Sequence, residues 1–192
     1  MPRLILASSS VYRRALLERL GLPFECAAPA IDEAPQSGET AEQLTQRLAL
    51  SKAQTLASRF PRHLIIGSDQ ALMLDGQPVS KPGSHAAATE QLERCSGRTL
   101  RFSTGLCLLN SASGDYQLAC EPFDVSFRKL DSDSIERYLR SEHPYDCAGS
   151  FKMEGLGITL FHALNGDDPN SLIGLPLIRL CEMLRNEGLQ LP

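Results

Sequence analysis

A chain of 192 residues, 42% apolar and 22% charged, has the size and composition of an ordinary globular protein, long enough to bury most of its apolar surface in one domain or two close-packed lobes. Its net charge of −4 disfavours a nucleic-acid polymer as partner, since such binders present a basic face to the phosphates, but a local cluster of cations can still hold a small anion. No apolar run is long enough for a signal-peptide core or a bilayer span, so no membrane partner is expected and the cytoplasm is the default address.

Leu4-Ile5-Leu6-Ala7 reads as a short buried strand that breaks into Ser8-Ser9-Ser10. After it, Arg13, Arg14, Leu16, Leu17 and Leu20 fall at helical spacing until Gly21 stops the helix. A strand, polar loop and helix in that order offer hydroxyls, free backbone N–H groups and the positive end of a helix dipole, all suited to an anion. The plainer alternative is a serine N-cap with surface arginines. Phe24 to Ala28 is a second strand, and Pro29 to Pro35 a proline-bounded loop carrying Asp32 and Glu33. Thr40, followed by Glu42 and Gln43, opens an amphipathic helix to about Arg59 with Leu44, Leu48, Ala49, Ala53 and Leu56 on one face. Lys52 is offset from that stripe by about one residue, which periodicity alone assigns to solvent or to the rim of the core.

Leu64-Ile65-Ile66 is an unalternating aliphatic run, the mark of a strand covered on both faces. It leads into Gly67-Ser68-Asp69-Gln70, and ligands of open α/β sheets dock at the carboxyl ends of strands. Asp69 is therefore the first candidate for chemistry, against the alternative that it bonds a nearby turn. Asp75-Gly76 is a hairpin turn that returns the chain toward Ser80-Lys81-Pro82. Ser84 caps a helix through Leu92, ended by Gly97. Arg98 to Asn110 and Tyr116 to Leu130 form two long strands around Ser113-Gly114-Asp115, the antiparallel sheet of a second lobe at roughly 98–145. Asp133 and Glu136 open a helix to about Ser141. Residues 148–157 are a glycine-rich turn or ligand wall without phosphate-loop spacing. Ile158 to Phe161 is a short strand, 165–170 a loop, and Leu175 to Leu184 a final helix. The cysteines at 26, 95, 107, 120, 147 and 181 contain no C-x-x-C and read as buried reduced thiols.

In order along the chain, Leu6-Ala7-Ser8-Ser9-Ser10 with Arg13-Arg14, Asp32-Glu33, Lys52-Ala53, Gly67-Ser68-Asp69-Gln70, Lys81-Pro82, Gly149-Ser150-Phe151 with Glu154-Gly155, and Asn170 through Pro176 resemble the Maf family. These are nucleoside triphosphate pyrophosphatases once known as septum-formation inhibitors. The resemblance spans the whole chain and implies a single Maf-like domain over 1–192. Its fold would be α/β, a mixed twisted sheet with helices and two lobes around a deep cleft, akin to the inosine-triphosphate pyrophosphatases and usually homodimeric. Tyr12, Gln70 and Glu154 match the branch acting on 7-methyl-GTP, so the substrate expected is a small-molecule nucleoside triphosphate cleaved between its α and β phosphates.

What the resemblance implies for the residues follows phosphate chemistry, in which positioning and charge neutralisation dominate. Glu33 and Asp69 would hold or face a divalent metal, magnesium first, with manganese or cobalt as alternatives. Asp69 would also orient or deprotonate the attacking water. Lys52 and Lys81 would give point charges to the phosphates, Arg13 a planar fork, and Ser8 a neutral donor. Tyr12 would stack on the positively charged methylated base, Glu154 would accept from its edge, and Gln70 completes the substrate-binding set. The rival readings are a dTTP/UTP pyrophosphatase of the same family and a nucleotide-binding regulator of septum formation without turnover. A phosphatase using an aspartyl phosphate is a further rival, but its D-x-D pattern is missing because Ala71 follows Gln70.

Overall fold

The structure is a computed structural model that describes residues 3–191. Seven strands, β1 (Arg3–Leu6), β2 (Phe24–Cys26), β3 (His63–Leu74), β4 (Gln77–Pro78), β5 (Thr99–Asn110), β6 (Tyr116–Phe127) and β7 (Phe161–Asn165), form a mixed sheet in the order β2-β1-β3-β5-β6-β7, with β4 paired to β3. The chain forms two compact units: the described residues up to Gln70 with Ser103–Glu121 and those from Asp168 on, and Ala71–Phe102 with Pro122–Asp167. No helix among the described residues is long and apolar enough to cross a membrane.

In the first unit, β1 (Arg3–Leu6) lies parallel to both β2 (Phe24–Cys26) and β3 (His63–Leu74). The aliphatic runs divide by parity, as alternate side chains of a strand must. Leu4, Leu6, Leu64 and Ile66 join a core with Leu16 and Leu17 of α1 (Val11–Glu18) and Leu180 and Leu184 of α6 (Leu177–Asn186). Ile5, Ala7 and Ile65 join Ala49, Ala53 and Leu56 of α2 (Ala41–Ala57) in a second core. Both faces are covered, so the runs show no alternation, and each fully buried Leu or Ile contributes about 1.5–3 kcal/mol. The expected start of α2 holds: Thr40 accepts from the Gln43 backbone N–H while the Gln43 side chain reaches back, a complete capping box.

Two expectations for this unit change. β3 does not stop at the polar residues but runs on to Leu74; its parallel pairing with β1 ends at the Leu6–Ile66 match, so Asp69 stands three residues beyond the parallel ladder. The segment after Asn165 is more than a loop, because Pro169–Ile173 forms a short helix, α5. Proline opens it at a position where a missing N–H is harmless, and its five residues are too few for a periodic signal.

In the second unit, β4 (Gln77–Pro78) returns along the end of β3 across the Asp75-Gly76 turn as expected. α3 (His85–Cys95), capped by Ser84, packs on α4 (Ser132–Glu142), capped by Asp131. The far ends of β5 (Thr99–Asn110) and β6 (Tyr116–Phe127) carry Phe102 and Phe127, whose rings meet Phe151 edge-on at centroid distances of 5.5 and 5.8 Å. The strand expected at Ile158–Phe161 begins only at Phe161, as β7 (Phe161–Asn165) antiparallel to β6. Leu156–Leu160 is a 3₁₀ turn with Ile158 half exposed; an apolar run of this length does not distinguish the two. Of the cysteines, Cys95 and Cys107 are buried thiols, but Cys26 is exposed.

Candidate active site

Close approach of α2 to the sheet builds the site in the first unit. A Cβ on Gly67 would collide with the carbonyl of Ala49, and a Cβ on Gly105 with the carbonyl of Thr45. Bare backbone on β3 and β5 thus lets α2 lie directly against the strands. The room left by Gly67 is taken by this helix. Lys52, one turn along α2 from Leu48, is 5% exposed, so the exposed position suggested by periodicity is wrong. A lysine is buried only when paired, and Lys52 is paired twice: Nζ lies 2.6 Å from Asp69 Oδ1 and 2.8 Å from Glu33 Oε1. The Asp69 side chain is 13% exposed and that of Glu33 60%, so the triad runs from core to solvent.

The loop bearing Glu33 is tied to α2. Arg47 Nη2 donates to the Ala34 carbonyl at 3.0 Å and pairs with Glu39, while Asp32 accepts from the Ala34 N–H at 2.9 Å. Of the adjacent acids Asp32 and Glu33, the first closes a turn and the second joins the site.

Arg13 is the second cation. The Ser10 hydroxyl caps α1 by accepting from the Arg13 N–H, and buried Ser8 accepts from the Ser10 N–H at 3.1 Å. Burial of the guanidinium lowers its pKa, and the charges of Asp69 and then Glu33 pull it back, so Arg13 stands in the field of both carboxylates and stays charged. Its Nε donates to the Gly174 carbonyl at 2.8 Å, leaving the terminal nitrogens of the fork to other partners. Arg14 instead makes an exposed ion pair with Glu18.

Short α5 and the turn after it act as the anchor. The hydroxyl of fully buried Ser68 lies 2.9 Å from the same Gly174 carbonyl and 2.8 Å from that of Gly105. Gln70 Nε2 reaches the carbonyls of Ser171 at 2.7 Å and Leu172 at 3.0 Å, and the Thr104 hydroxyl donates to Ser171 at 2.8 Å. Gln70 is expected to bind substrate, and its amide nitrogen is committed to the protein. Beneath them Asp168, 2% exposed, accepts from the Asn170 N–H at 2.8 Å and from the Ile178 N–H at 2.7 Å, capping α5 and α6 with one carboxylate. Ser68, Thr104, Gly105, Asp168, Ser171 and Gly174 were absent from the candidates drawn from sequence. Ser68, Ser171 and Gly174 lie in the stretches that carried the family resemblance, and the other local signal was the small residue in each of two buried strands, at Gly67 and Gly105.

Of the candidates, Glu33, Lys52, Asp69 and Arg13 come together here, with Ser8 at the loop that precedes α1 and Tyr12 half-buried on its first turn. Lys81 and Glu154 belong to the second unit, where both are exposed. Lys81 has no ion-pair partner among the described residues, and no group of three or more His, Cys, Asp and Glu there is placed to hold a metal ion.

The Maf-like protein model matches residues 3–187. The chain belongs to the Maf family. A Maf relative named 7-methyl-GTP pyrophosphatase, from Pseudomonas aeruginosa, is 57% identical over 192 residues, the whole of both chains. Among solved structures, a HAM1 protein from Coxiella burnetii superposes with a TM-score of 0.56 at 16% identity, covering 97% of this chain and 100% of the other, a likeness of fold alone. The expected Maf-like α/β class is therefore shown.

Proposed function

We propose that this Maf-family chain hydrolyses 7-methyl-GTP between the α and β phosphates, giving 7-methyl-GMP and pyrophosphate. The observation that carries the chemistry is the buried Lys52 ammonium held between the carboxylates of Asp69 and Glu33, with Arg13 in their field. The substrate is supported by the full-length relative of that name.

The four groups sum to no net charge, so a triphosphate arriving among them needs further cations. Lys52 can turn from its carboxylates to a phosphate oxygen, and the free nitrogens of Arg13 can grip two at once. Asp69 is then released to accept hydrogen bonds from the attacking water and take its proton. We assign a further phosphate charge to Lys81, a neutral donor to Ser8 and base selection to Tyr12 and Glu154. Gln70 keeps α5 in place while its carbonyl oxygen is left for substrate.

Two carboxylates without a third ligand suit magnesium, which is commonly bound by one or two carboxylates with substrate phosphates completing its shell; Glu33 and Asp69 would hold it. When bound, such an ion neutralises phosphate charge and lowers the pKa of a coordinated water. The same reading has the chain acting in the cytoplasm as a homodimer.

The test is competition of 7-methyl-GTP against dTTP and UTP with magnesium present, products resolved by ion-exchange chromatography. The reading expects preferential loss of 7-methyl-GTP with equimolar 7-methyl-GMP and pyrophosphate. Equal hydrolysis of all three removes the base assignment, release of orthophosphate removes the bond assignment, and binding without turnover leaves a regulator.

A further inference from the structure

A cavity of about 350 Å³ lies wholly within the second unit, between the residues that follow β6, one side of α4 from Ser134 to Ser141, and the 3₁₀ turn. That volume is at the lower end of small-molecule sites. Arg128, Lys129 and Arg137 line it, over an apolar floor of Leu130 and Leu160 and a wall of Leu156, itself 47% exposed.

The second unit holds nine Lys and Arg residues. Five of them are ion-paired: Arg94 and Arg98 to Asp75, Arg101 to Asp124, Arg140 to Glu136 and Lys152 to Glu142. Four have no carboxylate within ion-pair distance among the described residues, namely Lys81, Arg128, Lys129 and Arg137, and three of these four line this one cavity.

The negative charges of Glu142 and Glu154 reach Tyr138 of the lining, and that of Asp131 interacts with Arg137. Asp131 accepts from the Ser134 N–H to cap α4, and Glu142 holds the Leu156 N–H and Lys152. Arg137 is turned back along α4, donating to the Ser134 hydroxyl at 2.9 Å. Three cations at one hollow, none with a carboxylate at ion-pair distance among the described residues, raise the local potential for an anion in a chain of net charge −4, and two guanidinium forks suit a phosphoryl group. The leucines give an apolar body a surface to lie on.

We propose that this cavity is a second binding site, distinct from the Asp69 centre, for a small organic phosphate whose phosphoryl head meets Arg128, Lys129 and Arg137 and whose apolar body rests on Leu130, Leu156 and Leu160. Its natural ligand is recognised by that chemistry, an apolar or planar group carrying one phosphoryl dianion.

Phenyl phosphate titrated into the ¹⁵N-labelled full chain, read residue by residue, tests the assignment. Saturable shifts are expected at the amides of Ser134, Leu156 and Thr159, weakening at least tenfold in Arg128→Gln/Arg137→Gln, both exposed positions whose exchange leaves the melting temperature and nucleotide hydrolysis unchanged. Inorganic phosphate, lacking the body, and benzyl alcohol, lacking the charge, should each bind more weakly. Shifts confined to residues around Asp69, or undiminished in the double variant, overturn the site. Inorganic phosphate binding as tightly as phenyl phosphate overturns the organic ligand, and benzyl alcohol doing so overturns the anion.

Discussion

Lys52 decides more than any other side chain, because one ammonium satisfies two carboxylates that would otherwise repel each other. Lys52→Met removes that cation and is expected to lower kcat/KM by about 10²–10³, the scale of deleting one preorganised electrostatic group, measurable by pyrophosphate release. Asp168 is the structural counterpart. Asp168→Ala strands the amides that open α5 and α6, and a buried donor left unpaired costs about 1–3 kcal/mol. For two helix starts, about 2–6 kcal/mol together, the expected fall in melting temperature is roughly 4–24 °C, at 2–4 °C per kcal/mol for a chain of this size. Asp69 was legible because an acid beside a buried strand stands out, whereas Glu33 was expected only by resemblance, since an acid in a loop is ordinarily just solvated. The sequence hid the burial of Lys52, since helical periodicity registers apolar stripes and says nothing of a charge whose partners come from 17 and 19 residues away. Gln70 was expected to bind substrate by resemblance, and its hold on α5 was not legible, because backbone carbonyls carry no residue signature.

The decisive element is α2, and its closeness to β3 and β5 is what places Lys52. Gly67→Ala and Gly105→Ala each drive a methyl into a carbonyl of the α2 backbone, which cannot turn aside as a side chain would, and so force the helix away from the strand. Either variant is expected to lose both stability, by about 1–3 kcal/mol as in other overpacked cores, and activity; denaturant melts with parallel assays check it. Arg47 works at the same scale by binding the Glu33 loop to α2, so Arg47→Met should raise KM more than it lowers kcat. Most elements were readable from sequence: the α2 capping box, the hairpin at Asp75-Gly76 and the two long strands all follow from local chemistry. The 3₁₀ turn at Leu156–Leu160 and helix α5 were not, because each is one turn or little more and depends on partners distant in sequence.

At the scale of the whole molecule, acid sensitivity follows from how its carboxylates are held. The side-chain hydrogen bond from Arg47 lowers Glu39 to about 2, and Asp75, Asp124, Asp131 and Glu136 are also held below their ordinary values, chiefly by hydrogen bonds from Arg98, Arg101, Ser134 and Arg140. Depressed carboxylates contribute stability that is complete above their unfolded pKa values, about 4, and is lost as the pH falls through the folded ones. The melting temperature should therefore be flat above about pH 5 and drop steadily toward pH 2, with a shallower drop in Arg47→Met; calorimetry across that range checks both.

The central claim, that Asp69 drives hydrolysis in a fold it is not needed to support, has a direct test in Asp69→Asn. The substitution keeps the size of the side chain and removes its charge. Pyrophosphate release from 7-methyl-GTP, measured beside the melting temperature, should fall by at least about 10²-fold while the fold persists; release at the wild-type rate from folded Asp69→Asn contradicts the account.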